Sequence, residues 1–269
     1  MMNESVCAFI IVRDEKDSIL NTVEGLLNQT HELCRIVIVD DGSTNGTHDI
    51  VEKIVVENER VDMTTLPYHE DSYVGRWELG RSINFGLREI QLLHGIPDWI
   101  LQMGADHVLP VNYVETLLSG MSDTIRIASG TYLNAKLNVD TPIGSGKLID
   151  AKLWWEFNKM VYPEKYGYES WIDYRFRMEG YAVRRDDSLI TDCRPVRMNK
   201  RKAFYWGKCT YALGGILPFA LIRSVTFLKK YMFNFLKGYY SRDDVEIHED
   251  IFNYVGKMQY EKLMKTLHL

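Results

Sequence analysis

The chain opens with two apolar runs of strand length, each followed by a segment whose apolar residues recur at helical spacing. That repetition constrains the fold more than any single motif. Ser5 to Val12 (SVCAFIIV) reads as a buried strand and Asp17 to Leu27 as the helix after it; Arg35 to Val39 and Thr47 to Val56 repeat the pair. Thr47 or Thr44 is the expected N-cap of the second helix. Trp77 to Leu93 reads as a further helix leading into the strand Asp98 to Met103, and Ile125 to Gly130 as another short strand. Strands alternating with helices imply an α/β fold on a doubly wound, mostly parallel sheet. Such sheets bind ligands at the carboxyl ends of their strands.

Those ends carry acids. The second strand runs into Asp40 and Asp41 (IVIVDDGSTNGT), and the strand at Trp99 to Met103 runs into Asp106 and His107 (LQMGADHVLP). An ionised carboxylate only accepts hydrogen bonds, so a pair facing a crevice suits a ligand's N–H and hydroxyl groups. The alternative use is local, with one Asp making an Asx-type turn and the other capping the next helix. Carboxylates at two strand ends lining one crevice favour a nucleoside diphosphate accompanied by a divalent cation.

Five stretches carry a resemblance: VCAFIIVRDE, IVIVDDGSTNGT, LGRSINFGL, ILQMGADHVLP and YGYESWIDYRFRMEGY. In this order and at these separations they resemble the family 2 glycosyltransferases of the GT-A fold, over roughly the first 200 residues. The resemblance implies an inverting enzyme that moves a sugar from a nucleotide diphosphate donor to an acceptor. It assigns Asp40 and Asp41 to the base and ribose, Arg13 and Asp14 to the uracil or guanine pocket, and Arg81 and Asn84 to the donor side of a helix start. It also identifies Ala105 and Asp106 with the metal-binding D-x-D, and Mn²⁺ or Mg²⁺ as cofactor. Gly104 replaces the first carboxylate of that motif. One carboxylate with two phosphates and water can still hold such an ion. His107 is a further candidate ligand, better suited to Mn²⁺, or else a loop residue.

Inverting transfer needs a base for the acceptor hydroxyl, a contribution of roughly 10²–10⁴-fold. Aligning Arg175-Phe176-Arg177 and Gly180 with the family's R-L-R and closing glycine places Glu169 at the catalytic position, with Tyr168 replacing the acid before it. Asp173, one helical turn on, is the alternative catalytic residue. On periodicity alone Arg81, Ser82 and Asn84 form a solvated helix face, and Trp154 and Trp155 suit either a sugar face or the core.

Composition adds a division within the chain. With 269 residues and 46% hydrophobic content, one large domain or a domain with an appendage can form. Four cysteines without C-x-x-C spacing, and no apolar leader, suggest a reducing, cytoplasmic compartment. From Cys193 through Arg242 there are eleven basic residues and no Asp or Glu, which leaves 21 basic against 37 acidic residues elsewhere, a net of -16. We therefore expect a GT-A-like catalytic domain over 1–195 and a basic helical extension over 196–269. The uncharged run Cys209 to Ile222 spans 14 residues, short of the roughly 20 that cross a bilayer. Aromatics interleaved with cations across 194–242 fit peripheral contact with an anionic membrane face, and hence a lipid-linked acceptor such as a polyprenyl phosphate. A packed helical subdomain is the alternative.

Other classes fit less well. A sugar-nucleotide binding or scaffolding protein with an impaired D-x-D is the main rival. A nucleotidyltransferase would need glycines after the first strand, where VRDEKDS has none. No G-x-G-x-x-G supports a nicotinamide cofactor, and the acidic body disfavours nucleic acid.

Overall fold

The computed structural model describes residues 4–68, 76–133, 141–194, 198–227 and 229–267. The chain divides into two compact units: Met1–Glu70, Ser82–Tyr162 and Gly180–Pro195 form the first, and Asp71–Arg81, Pro163–Glu179 and Val196–Leu269 the second.

The first unit holds the sheet. In chain order its elements are β1 (Val6–Val12), α1 (Ile19–Leu27), β2 (Arg35–Asp40), α2 (Thr47–Glu57), β3 (Val61–Thr65), α3 (Glu78–His94), β4 (Trp99–Gly104), β5 (His107–Val108), α4 (Tyr113–Ser119), β6 (Ile125–Tyr132), β7 (Lys147–Asp150) and α5 (Ala151–Asn158), with β8 (Ala182–Cys193) returning after α6 (Tyr168–Met178). The strand order is β3-β2-β1-β4-β7-β6-β8-β5. β3, β2, β1 and β4 run parallel. β7 is antiparallel to β4 and to β6. The chain leaves β1 toward β2 and β3, then returns to lay β4 on β1's other side. That reversal opens a crevice at the carboxyl ends of β1 and β4.

Alternation explains the layers. Val6, Ala8, Ile10 and Val12 of β1 join Ile36 and Ile38 of β2, Leu101 and Met103 of β4, and Ile19, Val23 and Leu26 of α1 in one buried cluster. The intervening Phe9 meets α3 at Gly86 on the opposite face. With helices on both faces, β1 and the Ile36–Val39 stretch of β2 are apolar throughout. Truncating the fully buried Ile10 to Ala would cost about 2–5 kcal/mol.

The cap of α2 differs from expectation. Its N-cap is Gly46 at φ 89°, and Asn45 Oδ1 accepts from Thr47 N at 3.2 Å. Neither threonine caps the helix. Nearby, Gly42 at φ 76° is pressed by the loop after β3: a Cβ there would lie 2.6 Å from Tyr68 Cα. A side chain at that position would be both strained and displaced.

The second unit is helical, comprising α6, α7 (Lys200–Ala212), α8 (Leu217–Phe227), a 3₁₀ turn at Lys229–Tyr231, α9 (Met232–Tyr240) and α10 (Glu249–Leu267). The α7 and α9 backbones cross at two glycines: a Cβ on Gly207 would meet Phe235 O at 2.0 Å, and one on Gly238 would meet Phe204 O at 1.9 Å. Ala203, Ala220, Phe235 and Tyr239 form the core around them. The apolar run from Cys209 is broken rather than continuous, because α7 ends at Ala212 and Gly214 turns the chain at φ 87° before α8 starts. Among the described residues no helix is long and apolar enough to cross a membrane. Not every cation in this segment faces solvent. Lys208 is buried, paired with Asp244 and flanked by the Tyr166 and Phe204 rings.

Candidate active site

Three loops meet the crevice of the sheet unit, from β1, β2 and β4. After β1, Asp14 takes the left-handed region at φ 55°, where a non-glycine residue is strained and needs local bonds. It has them: its N–H donates to Ser43 Oγ at 3.1 Å, and its carboxylate accepts from Thr44 N at 2.7 Å. The β1 and β2 loops are thereby stitched together. Arg13 lies over the Tyr68 ring at 5.0 Å, and its buried Nη1 has no partner among the described residues. An unsatisfied buried donor is costly by about 1–3 kcal/mol, so a ligand acceptor there would be rewarded.

The aspartate pair is inside the protein. Asp40 is 1% exposed and accepts from Ser43 N at 2.9 Å and from His48 Nδ1 at 3.0 Å, which is the turn-forming use of an Asx side chain. Asp41 is equally buried and accepts from Ser82 Oγ of α3 at 2.7 Å. Both carboxylates shape the loop that faces the crevice.

Asp106 follows β4 and is joined by residues the motifs did not single out. Arg194, just past β8, donates from Nε to Asp106 Oδ2 at 2.8 Å, and its Nη2 pairs with Glu15 of the β1 loop. Two carboxylates therefore share one guanidinium, and the cluster retains net negative charge. A diphosphate arriving beside it needs a further cation. Asp106 is a suitable single protein ligand for Mn²⁺ or Mg²⁺, the phosphates and water completing the shell. Among the described residues no three His, Cys, Asp or Glu side chains converge as a metal-binding set.

His107 does not serve as the second ligand, because both its ring nitrogens are engaged. It is 1% exposed, with Nδ1 against Ser145 Oγ and Nε2 against Thr191 Oγ1. Thr191 spends its own proton on Thr131 O at 3.0 Å, so Nε2 carries the hydrogen and Nδ1 accepts from Ser145. The Ser145 oxygen in turn accepts from Gly104 N at 2.8 Å. Burial pushes the imidazole down to about 4, against the nearby Asp106 and Asp192 charges. A neutral histidine thus ties the β4–β5 turn to β8. Ala105 is buried too, and its carbonyl accepts from Thr22 Oγ1 of α1 at 3.0 Å.

Asn84 of α3 is a correction to the solvated-face expectation. It is 2% exposed, and its amide brackets the Tyr162 backbone with Nδ2 to O at 2.9 Å and Oδ1 from N at 2.8 Å. Both ends serve the fold. Trp154 is core, edge-on to Tyr162 at 4.8 Å. In the helical unit, Arg81 pairs with Glu164 at 3.2 Å and lies over the Trp77 ring at 5.1 Å. There α6 begins at Tyr168 after the uncapped, left-handed Gly167. Glu169 in its first turn is exposed, while Asp173 is buried at 3%. Of the two base candidates, Glu169 is the one solvent and a substrate can reach.

Arg194, Glu15, Ser145 and Thr191 carried only weak sequence signals. Arg194 stood among eleven cations of the basic segment, and β8 reads as RRDDS where a strand is expected to be apolar.

Comparisons with known proteins follow the same lines. The profile of glycosyl transferase family 2 matches residues 7–204. The glycosyltransferase GlyG of Streptococcus pneumoniae is 24% identical over 134 residues, 49% of this chain and 40% of GlyG; the match thus spans less than half of that relative. Mannosyltransferase PcManGT from Pyrobaculum calidifontis, solved with GDP-Man and Mn²⁺, is 14% identical with a TM-score of 0.59, covering 100% of this chain and 76% of that one. TarS 1–349 of S. aureus in complex with UDP gives 12% identity and a TM-score of 0.54 over 96% and 92% of the two chains. These structures share the GT-A glycosyltransferase fold, and the chain belongs to glycosyl transferase family 2.

Proposed function

We propose that the chain transfers a sugar, with inversion at the anomeric carbon, from a nucleoside diphosphate donor to a hydroxyl of a glycan or lipid-linked acceptor. The observation that carries this reading is the joining of Glu15 after β1, Asp106 after β4 and Arg194 after β8, beside the sheet's reversal. Arg13, with a buried N–H still to satisfy and a stacked Tyr68 beside it, is assigned to the nucleobase. Asp40 and Asp41 hold the loop that meets base and ribose. Glu169 takes the acceptor's proton, and Asp173 supports its helix. Asp106 holds the divalent ion, whose chemistry when bound is to neutralise charge developing on the leaving diphosphate. Arg194 balances Asp106 and Glu15 before donor arrives. PcManGT with GDP-Man and TarS with UDP support a nucleotide donor by analogy of fold.

The extension supports a membrane-facing role. Leu221, Ile222 and Val225 of α8 and Phe233 of α9 are exposed, with Lys229, Lys230 and Lys237 exposed nearby in sequence. Apolar side chains flanked by lysines suit the headgroup boundary of an anionic bilayer. The catalytic part is assigned to 1–195, which includes the Glu169 helix, and the lipid-facing part to 196–269.

A thermal-shift screen of UDP, GDP and their sugars, with and without Mn²⁺, tests the donor assignment. Ligand at about 100 times its dissociation constant stabilises by about 2.7 kcal/mol, a clear melting shift. No shift with any nucleotide at millimolar concentration would remove the assignment.

A further inference from the structure

Arg194 is held by two carboxylates on unequal footings, all three residues lying in the sheet unit. Its Nη2 pairs with Glu15 Oε1, and its Nε donates to Asp106 Oδ2 at 2.8 Å. Glu15 is mounted on the start of α1. Its other carboxylate oxygen accepts from Ser18 Oγ at 2.9 Å, and its carbonyl accepts from Ser18 N at 3.1 Å and Ile19 N at 3.0 Å. Asp106, in the turn after β4, is the carboxylate assigned above to a divalent ion. Of the two bonds to Arg194, the one to Asp106 is therefore the one that donor binding would break.

Exposure points the same way. The Arg194 side chain is 63% exposed, against 22% for Glu15 and 32% for Asp106, so the guanidinium is the member of the cluster that a ligand reaches most easily. A guanidinium is a planar fork of donors suited to phosphate oxygens as well as to carboxylates. It can exchange Asp106 for a phosphate while Glu15 keeps it in place.

We propose that Arg194 has two positions and couples the divalent ion to the donor's diphosphate. In the empty site it occupies Asp106; on donor binding it pivots on Glu15, holds the diphosphate and releases Asp106. This rests on the assignment of Asp106 to the ion and of a nucleoside diphosphate to the crevice. Ion and diphosphate each require the same Arg194–Asp106 bond to break, so whichever binds first spares the other that step. The two then bind with positive coupling, and the coupling is reciprocal.

The test is calorimetric titration of the full chain with UDP, GDP, UMP and GMP, each with and without saturating Mn²⁺. Arg194→Gln replaces a largely exposed side chain and should fold. With Mn²⁺ it should bind the responding diphosphate roughly ten-fold more weakly than wild type, and the matching monophosphate within about two-fold. Without Mn²⁺ the loss should be smaller by up to about five-fold, because the wild type must then break its own Arg194–Asp106 bond. Asp106→Asn without Mn²⁺ should bind the diphosphate at least as well as wild type, since its Arg194 is already released. Diphosphate affinity that is unchanged in Arg194→Gln, or reduced equally for the monophosphate, overturns the diphosphate contact. A loss no larger with Mn²⁺ than without, or weaker metal-free binding in Asp106→Asn, overturns the exchange. Failure of the wild type to bind either diphosphate would instead remove the donor reading itself, and this proposal with it.

Discussion

Arg194 and Asp106 are joined where the loops after β8 and β4 meet: Nε donates to Oδ2 at 2.8 Å, and the same guanidinium reaches Glu15. A divalent ion held as proposed at Asp106 would compete with Arg194 for one carboxylate. The pair is partly exposed, so its strength lies in the 0.2–1 kcal/mol range. Arg194→Gln should accordingly bind Mn²⁺ more tightly, by up to about five-fold, in calorimetry without nucleotide. Weaker Mn²⁺ binding would mean that the guanidinium helps assemble the ion site instead of opposing it.

Asp106→Asn should abolish the gain in nucleotide affinity that Mn²⁺ provides, since Gly104 leaves the turn with no other carboxylate at the motif. Parallel titrations with and without Mn²⁺ measure this. An undiminished gain would take Asp106 out of the ion's shell.

His107 should behave as a structural residue. Replacing it with Ala leaves Ser145 and Thr191 hydroxyls without their partner in a buried place, at about 1–3 kcal/mol per group. Urea denaturation should show a loss on that scale. At a temperature where the variant is folded, its Mn²⁺-dependent nucleotide affinity should match wild type; a specific loss of the metal effect would return His107 to the ion.

The parallel half of the sheet was legible because its strands, buried on both faces, are continuous apolar runs; β1, β2 and β4 lie within a residue or so of the expected bounds. β3, β7 and β8 were not. Val61–Thr65 is only half-buried, Lys147–Asp150 has four residues, and β8 carries the polar run Arg184–Ser188 before buried Leu189 and Thr191 flank an exposed Ile190. Within the candidate site, position along the sheet was readable and contact was not. Asn84 looks like a surface polar residue until Tyr162, far along the chain, supplies both its hydrogen bonds. His107 beside an acid looks like a ligand until β8 brings Thr191 to its ring. Long-range partners of this kind leave no periodic trace.

The exposed face of α8 makes a separate prediction. Leu221→Asp with Val225→Asp should reduce co-sedimentation with anionic vesicles several-fold, and raised salt should weaken the wild type through its lysines. Wild-type indifference to anionic vesicles at low salt would leave the helical unit as a packed subdomain alone.

The most direct measurement concerns the base. With the donor chosen by the thermal screen, transfer by Glu169→Gln and by Asp173→Asn is compared with wild type on the same acceptor, and donor affinity is measured separately. Glutamine keeps the side chain's shape but cannot take a proton, so turnover should fall by about 10²–10⁴-fold while donor affinity stays within about two-fold of wild type. Asp173→Asn, replacing a buried helix residue, should lose far less turnover. Near-normal turnover in Glu169→Gln beside a collapse in Asp173→Asn would contradict the account.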